Sequence, residues 1–480
     1  MGEIRVFGPR LLAAVVGAVL CLFGVWNLES ARSGLTIEAL NVGTTPATVY
    51  RRNDVDAAPA IVIAHGFAGS RQLMEAYALT LAQTGYVAVS FDFEGHGRNP
   101  IPMSGDVTRV DGTTQLLMAE VGRVVDAVLA LPSVDGRIAL LGHSMASDII
   151  VRNAIDDPRI AATVAISMFS EAVTATEPRN LLMISGEWES FLRENALLNA
   201  RLIDPQAEEG ETIGNPAGDG GRRTVFAPNV EHVGVLYSPT AQREARDWLD
   251  AVFARTSTGP IAATGPSIVL LLSGIVILAW PMSRLLPRQE AHPAVLPWRK
   301  FVLAVGLPAV VTPLLLTLVE TGFLPVLVAD YLAVHLFVFG LLSLGLLAWS
   351  GVRLGRVAWW VALVLAAYGI FVFGGALDRY VASFMPNTAR LPIIAAIAVG
   401  TVPYMVADSL ALSGGYAPLW RVLVARGAFL ASLAAAVALD FERLFFLLII
   451  IPVIVLFFVV FGLMGGWVGH TPPMADSRPP

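Results

Sequence analysis

"RIALLGHSMASD", residues 137–148, is a short apolar run that ends in glycine, histidine and serine. Two readings of Ser144 are open on these residues alone. It is a nucleophile lifted out of a sheet on a sharp strand-to-helix turn, or it is the polar cap of the helix that follows. The surrounding sequence repeats the same build. "APAIVIAHGF" (58–67) and "YVAVSFDFEGHG" (86–97) are apolar strands that run into Gly-containing loops, after two earlier strands, "GLTIEALNV" (34–42) and "ATVYRR" (47–52). "TQLLMAEVGRVVDAVLAL" (114–131) puts Leu117, Val121, Val124, Val125 and Val128 on one helical face. A helix "ASDIIVRNAI" (146–155), strands "AATVAISMF" (161–169), "NLLMISGE" (180–187) and "RRTVFAP" (222–228), and an amphipathic helix "SPTAQREARDWLDAVFA" (238–254) complete the pattern. Such alternation predicts a mostly parallel sheet covered on both faces, with chemistry gathered at the carboxyl ends of the strands.

The 480 residues are 55% hydrophobic and only 15% charged, below the roughly 25% charged residues of soluble domains. Residues 29–255 hold 18 arginines against 29 acidic residues, while the remainder is net basic. An acidic soluble part excludes a nucleic-acid partner, which needs basic patches to neutralise phosphates. The single cysteine, Cys21, permits no intramolecular disulfide and says nothing about redox compartment. One lysine, Lys300, among 32 basic residues points to a GC-rich bacterial genome.

The apolar segment "LLAAVVGAVLCLFGVW" (11–26), preceded by Arg5 and Arg10, reads as a signal anchor, with a cleaved signal peptide as the alternative. From Pro266 the sequence is built for lipid. "PSIVLLLSGIVILAWPM" (266–282) is followed by apolar stretches near 301–319, 331–350, 357–376, 391–411, 424–440 and 444–468, which makes eight spans with the first. Arg284, Arg288, Arg299, Lys300, Arg353, Arg356, Arg421 and Arg426 fall in one set of alternate loops; only Arg379, Arg390 and Arg443 fall in the other. The positive-inside rule places the first set in the cytoplasm and residues 29–260 outside, in a bacterial plasma membrane. The chain divides into an anchor (1–28), an extracytoplasmic domain (29–258), a seven-helix membrane domain (259–470) and a cytoplasmic tail (471–480). Glu320, His335, Asp408 and Asp440 lie in or beside spans, where ionisable groups call for a reason, but no carboxylate–histidine relay is legible.

"HGFAGS" (65–70), "DFEGHGRN" (92–99) and "GHSMA" (142–146), each after a strand and in this order, resemble the α/β-hydrolase superfamily, in its serine aminopeptidase and monoacylglycerol-lipase-like branch. The resemblance covers roughly residues 35–254. It departs from the common pattern in Ala146, where a glycine is usual, and in a glutamate at the acid position. It implies an α/β-hydrolase fold with a minimal lid, since only "SEAVTATEPR" (170–179) separates two strands where such domains insert one. It makes Ser144 the nucleophile. In the order nucleophile, acid, histidine, only His232 remains as base, because His65, His96 and His143 precede the serine and His292, His335 and His470 belong to the membrane part. In "GEWES" (186–190) the acid falls on Glu189, with Glu187 in reserve. The oxyanion donors are the N–H groups of Phe67 and Met145. His65 and Gly66 support the first of these loops and Gly142 and His143 the elbow, while Asp92 and His96 hold a structural turn. The stretch "QAEEGETIGNPAGDGGRR" (206–223) reads as a flexible surface loop.

The sequence therefore predicts a membrane-anchored serine hydrolase that uses a Ser-His-Glu triad, without cofactor or metal, on a lipid or other small acyl ester at the bilayer. A transporter or receptor that keeps a degenerate hydrolase fold as a binding module is the alternative, as is an acyltransferase or peptidase with the same triad.

Overall fold

The computed structural model describes residues 4–106, 110–218, 220–286, 296–354 and 358–469. Arg288, His292, Arg356, His470 and the tail 471–480 lie outside the described residues. The chain forms two compact units. One comprises Leu22–Leu271 together with Ala376–Met385; the other comprises Met1–Cys21, Leu272–Gly375 and Pro386–Pro480.

The first unit is built on a nine-stranded sheet. Its strands are β1 (Leu35–Val42), β2 (Thr45–Arg52), β3 (Ala58–Ala64), β4 (Val87–Phe91), β5 (Val134–His143), β6 (Ile160–Ile166), β7 (Asn180–Gly186), β8 (Thr212–Asn215) and β9 (Gly220–Ala227). Their spatial order is β1-β2-β4-β3-β5-β6-β7-β9-β8. The run from β4 to β9 is parallel. Among the described residues, antiparallel pairs occur only among β1, β2 and β4 and between β8 and β9. The central strands are apolar without interruption because both faces are covered. Ile61 and Ile63 of β3 meet Leu79 of α2 (Glu75–Gln83) and Trp248 and Leu249 of α6 (Pro239–Val252). Ala60, Val62 and Ala64 face the other way, toward Val121 and Val124 of α3 (Gln115–Leu129) and Ile150 of α4 (Met145–Asp156). The two-residue period of the strand thus feeds two separate cores.

One stretch differs from the sequence expectation. Within 206–223, Thr212–Asn215 forms β8, which pairs with Gly220–Arg223 at the sheet edge. The positive φ of Gly214 and Gly220 lets an acidic, glycine-rich stretch close a hairpin that composition alone reads as loop.

Connection order places the site. The chain passes from β3 to β4 on one side, then returns across β3 to β5 and continues outward. The direction of winding therefore reverses beside β3 and β5, and crevices form at the carboxyl ends of such strands.

Among the described residues, eight helices are long and apolar enough to cross a membrane, by length and composition: Gly8–Ser30, Thr264–Ser283, Trp298–Leu316, Ala329–Trp349, Trp359–Tyr380, Leu391–Ala411, Leu419–Leu439 and Phe446–Val468. They match the eight apolar stretches of the sequence, and the helices run through Pro403 and Pro452. Within the second unit, Phe339, Tyr404, Phe429 and Phe458 pack ring against ring. Two buried ionisable groups there have polar neighbours. Asp408 meets Arg426 at 3.6 Å, and His335 Nε2 lies 3.0 Å from Ser432 Oγ.

Candidate active site

Between β5 and α4 the chain turns within one residue. Ser144 has φ 54° and ψ −118°, a conformation that costs an L-residue on the order of 1–3 kcal/mol. The surroundings hold it there. Its N–H donates to the carbonyl of Ile166 at 2.9 Å, and its own carbonyl accepts from the N–H and hydroxyl of Ser147. Although Ser144 stands at the N-cap position, its side chain makes no capping bond. The hydroxyl instead donates to His232 Nε2 at 2.8 Å. Gly142 permits the tight approach of helix to strand, since a Cβ there would lie 2.9 Å from Ile150 Cδ1 and 3.0 Å from the Ala146 carbonyl oxygen.

His232 comes from the loop between β9 and α6. Its Nδ1–H donates to Glu189 Oε1 at 2.5 Å, which leaves Nε2 as acceptor for the serine. Glu189 follows β7, and its other oxygen accepts from the Gly186 N–H (2.6 Å) and the Ser167 hydroxyl (2.8 Å). Burial pushes this carboxyl up, but the bonds from His232, Gly186 and Ser167 outweigh it and hold Glu189 below the usual carboxylate range. The carboxylate is thus charged at neutral pH and almost wholly shielded, at 6% side-chain exposure. Glu187 does not reach the histidine. It accepts from the Asn229 N–H at 2.7 Å and so braces the loop that carries His232.

The loop after β3 lies against Ser144: a Cβ on Gly66 would stand 3.0 Å from Ser144 Cβ. His65 fixes this loop. Its Nε2 accepts from the Phe93 N–H (3.1 Å), so Nδ1 carries the proton and donates to the Gly66 carbonyl (2.8 Å). Phe67 is next in the chain, and Met145 opens α4, where first-turn N–H groups have no partner within the helix. His143 donates through Nε2 to the His232 carbonyl at 2.8 Å. Burial, followed by the neighbouring His232, pushes His143 down to about 3, so it serves as a neutral donor. Asp92 accepts from the N–H groups of Arg71 and Arg98, and His96 packs against His65 and Phe67.

Burial pushes His65 down to about 4. An unfolded histidine takes its proton near pH 6.5, so between these values only the unfolded chain binds it. Stability is then lost as pH falls from about 6.5 to about 4, by about 2 kcal/mol at pH 5 from this residue. His65→Gln keeps an acceptor for the Phe93 N–H and has nothing to titrate. The melting temperature of this variant is expected to fall less between about pH 7.5 and pH 5 than that of the wild type. Equal falls would contradict the assignment.

Three features were not legible in the sequence. Ser167, at φ 52°, supplies a hydroxyl to Glu189, and nothing in "AISMF" marks it for that task. Trp188 and Phe191, 66% and 64% exposed, flank Glu189 in sequence; Phe169 stacks on Phe191 at 5.7 Å, and exposed Val233 follows His232. Exposed apolar side chains therefore ride on the loops that carry Glu189 and His232. Lastly, Ala376–Met385 bonds to the loop after β3, although more than a hundred residues separate it from α6.

A family model described as serine aminopeptidase, S33, matches residues 56–204, a stretch that contains Ser144 and Glu189 and ends before His232. Solved structures that the chain matches include a hypothetical protein from Pseudomonas aeruginosa (16% identity, 46% of this chain and 94% of that one, TM-score 0.34). A dienelactone hydrolase from Anabaena variabilis and a CIB-like hydrolase from Thermoplasma acidophilum are each 15% identical, cover 45% of this chain and 97% of their own, and have TM-scores of 0.34. No curated protein matches the chain. The sheet unit is an α/β-hydrolase domain, with a serine-hydrolase-like fold over the matched residues, and the apolar helices that accompany it point to a membrane protein.

Proposed function

We propose that this chain is a membrane-anchored serine esterase whose hydrolase domain lies outside the cytoplasm and whose substrate is an ester of an apolar acyl chain. The observation that carries the reading is the continuous hydrogen-bond chain from Ser144 Oγ through His232 to Glu189. A serine hydroxyl is a poor nucleophile until a base takes its proton. In this reading His232 Nε2 takes the proton as Ser144 Oγ attacks the carbonyl carbon. Glu189 stabilises the imidazolium that forms. The negative oxygen of the tetrahedral intermediate is held by the N–H groups of Phe67 and Met145. As the ester C–O bond breaks, His232 returns the proton to the departing alcohol. Water then attacks the acyl-enzyme by the same steps, releasing the acid and restoring Ser144.

The exposed Trp188, Phe191, Phe169 and Val233 support an apolar acyl group, because they offer aromatic and aliphatic surface on or next to the loops that carry Glu189 and His232. The charge bias of the loops supports the extracytoplasmic placement. The family match brings peptide hydrolysis as the competing outcome. The test is turnover by the purified full chain in detergent micelles, on p-nitrophenyl esters from acetyl to palmitoyl and on aminoacyl anilides. Esters of medium or long chains are expected to be the better substrates by at least about tenfold in kcat/KM, the discrimination a few buried methylenes give. Faster cleavage of the anilides would overturn the ester reading in favour of a peptidase. Transfer of the acyl group to added glycerol in place of water would redefine the reaction as acyl transfer.

A further inference from the structure

The loop after β3 is held from two sides. On the inner side, His65 bonds to the Gly66 carbonyl, and buried Asp92 accepts from the Arg71 backbone N–H (2.8 Å) and guanidinium (3.0 Å). On the outer side its partners come from Ala376–Met385, which in sequence spans the end of the Trp359–Tyr380 helix and the stretch after it. The Ser383 N–H donates to the hydroxyl of buried Ser70 at 3.2 Å, and the Ser383 hydroxyl donates to Gln72 Oε1 at 3.0 Å. Gln72 Nε2 in turn donates to the Asp378 carbonyl at 3.4 Å. Asp378 ties the arrangement together. One carboxylate oxygen accepts from the N–H groups of Phe384 (3.0 Å) and Met385 (2.8 Å), which shapes the turn. The other meets Arg98 Nη2 at 2.5 Å, and the Arg98 N–H donates to Asp92. Arg379 and Tyr380 both bond to Glu29, so the segment is fastened at a second point.

We propose that Asp378 is a positioning residue for ester hydrolysis: through Arg98 and the Ser383 contacts to Ser70 and Gln72, it sets the loop that presents the Phe67 N–H to the oxyanion. The inference rests on the serine-esterase reading above. Its physical basis is that an oxyanion donor works only when its N–H already points where charge develops, and misplacement by about 1 Å costs about 100-fold in rate. Ser70 is three residues from Phe67, so slack in its partners is slack in the donor. Asp378 needs both oxygens for this task. In Asp378→Asn one oxygen remains, which serves either the Phe384 and Met385 turn or Arg98.

The test uses the full chain with Asp378→Asn, Arg98→Gln and the double variant. It reads kcat and KM on the best ester, the rate of fluorophosphonate labelling and the melting temperature. Each single variant is expected to lower kcat and labelling rate together by about 10- to 100-fold, with KM within about twofold and little change in melting temperature. The double variant is expected to be no worse than the poorer single one, because both act through one contact. Wild-type kcat in both single variants, multiplying losses in the double variant, or a loss that follows melting temperature would each overturn the proposal. A wild-type chain that neither labels nor turns over any ester would instead overturn the esterase reading on which the proposal stands.

Discussion

Ser144→Ala is expected to abolish labelling of the full chain by a fluorophosphonate and to lower ester turnover by at least about 10⁴-fold. The probe bonds covalently to an activated hydroxyl, and Ser144 Oγ is the hydroxyl 2.8 Å from His232 Nε2. Alanine removes that atom and little else. The strained φ of 54° is set by the bonds of the Ser144 backbone to Ile166 and Ser147, which alanine keeps. The melting temperature is therefore expected to stay within a few degrees of the wild type, so lost labelling would not reflect unfolding. His232→Ala should slow labelling by a similar order, since Oγ then remains without a base. Undiminished labelling of Ser144→Ala would place the nucleophile elsewhere. A wild-type chain that never labels would support the binding-module alternative, in which the hydrolase fold holds a ligand without cleaving it.

Much of the hydrolase fold is written in short-range pattern. β3, β5 and β7 show as apolar runs because parallel strands bury both faces, and α3 shows by its spacing of Leu117, Val121, Val124 and Val128. β8 escapes this test, because an edge strand of four residues in an acidic, glycine-rich stretch has no buried face to record in its sequence. The apolar stretches after Pro266 are equally legible, since lipid demands length and composition and little else.

The site is legible to a lesser degree. Gly-x-Ser-x-Ala around Ser144 reflects a local need, that helix and strand pack closely at a turn, and local needs leave motifs. Pairing across loops does not. Whether Glu187 or Glu189 meets His232 depends on which of two carboxylates two residues apart turns inward, a matter of loop conformation. Ser167 and Asp378 lie further from legibility. Each bonds to groups distant in the chain, so neither carries a local pattern. In the Ala376–Met385 segment, "ALDRYVASFM" reads as the loop after a membrane span, and its bonds to Ser70, Gln72 and Arg98 emerge only when the chain is folded.

Glu189→Gln is expected to lower kcat by about 10³- to 10⁴-fold, close to the cost reported by the same substitution type in serine protease triads, whereas Glu187→Gln is expected to stay within about threefold of the wild type. The reason lies in the donors around each carboxylate. Glu189 Oε2 accepts from the Gly186 N–H, which can only donate, and from the Ser167 hydroxyl. A glutamine at 189 satisfies the Gly186 N–H only by turning its oxygen to that side, which leaves its NH₂ group facing His232 Nδ1. Two donors cannot share that contact, so the imidazole moves its proton to Nε2 and presents an N–H to Ser144 Oγ. It then cannot accept the serine proton, and the developing imidazolium has lost its counter-charge. Burial adds to the loss, because the Glu189 side chain is nearly solvent-free and water cannot replace its charge. Glu187 has only to accept from the Asn229 N–H, and a glutamine oxygen does that equally well. Steady-state kinetics on the two variants decide the matter: near-wild-type kcat in Glu189→Gln together with a collapse in Glu187→Gln would reverse the assignment of the acid.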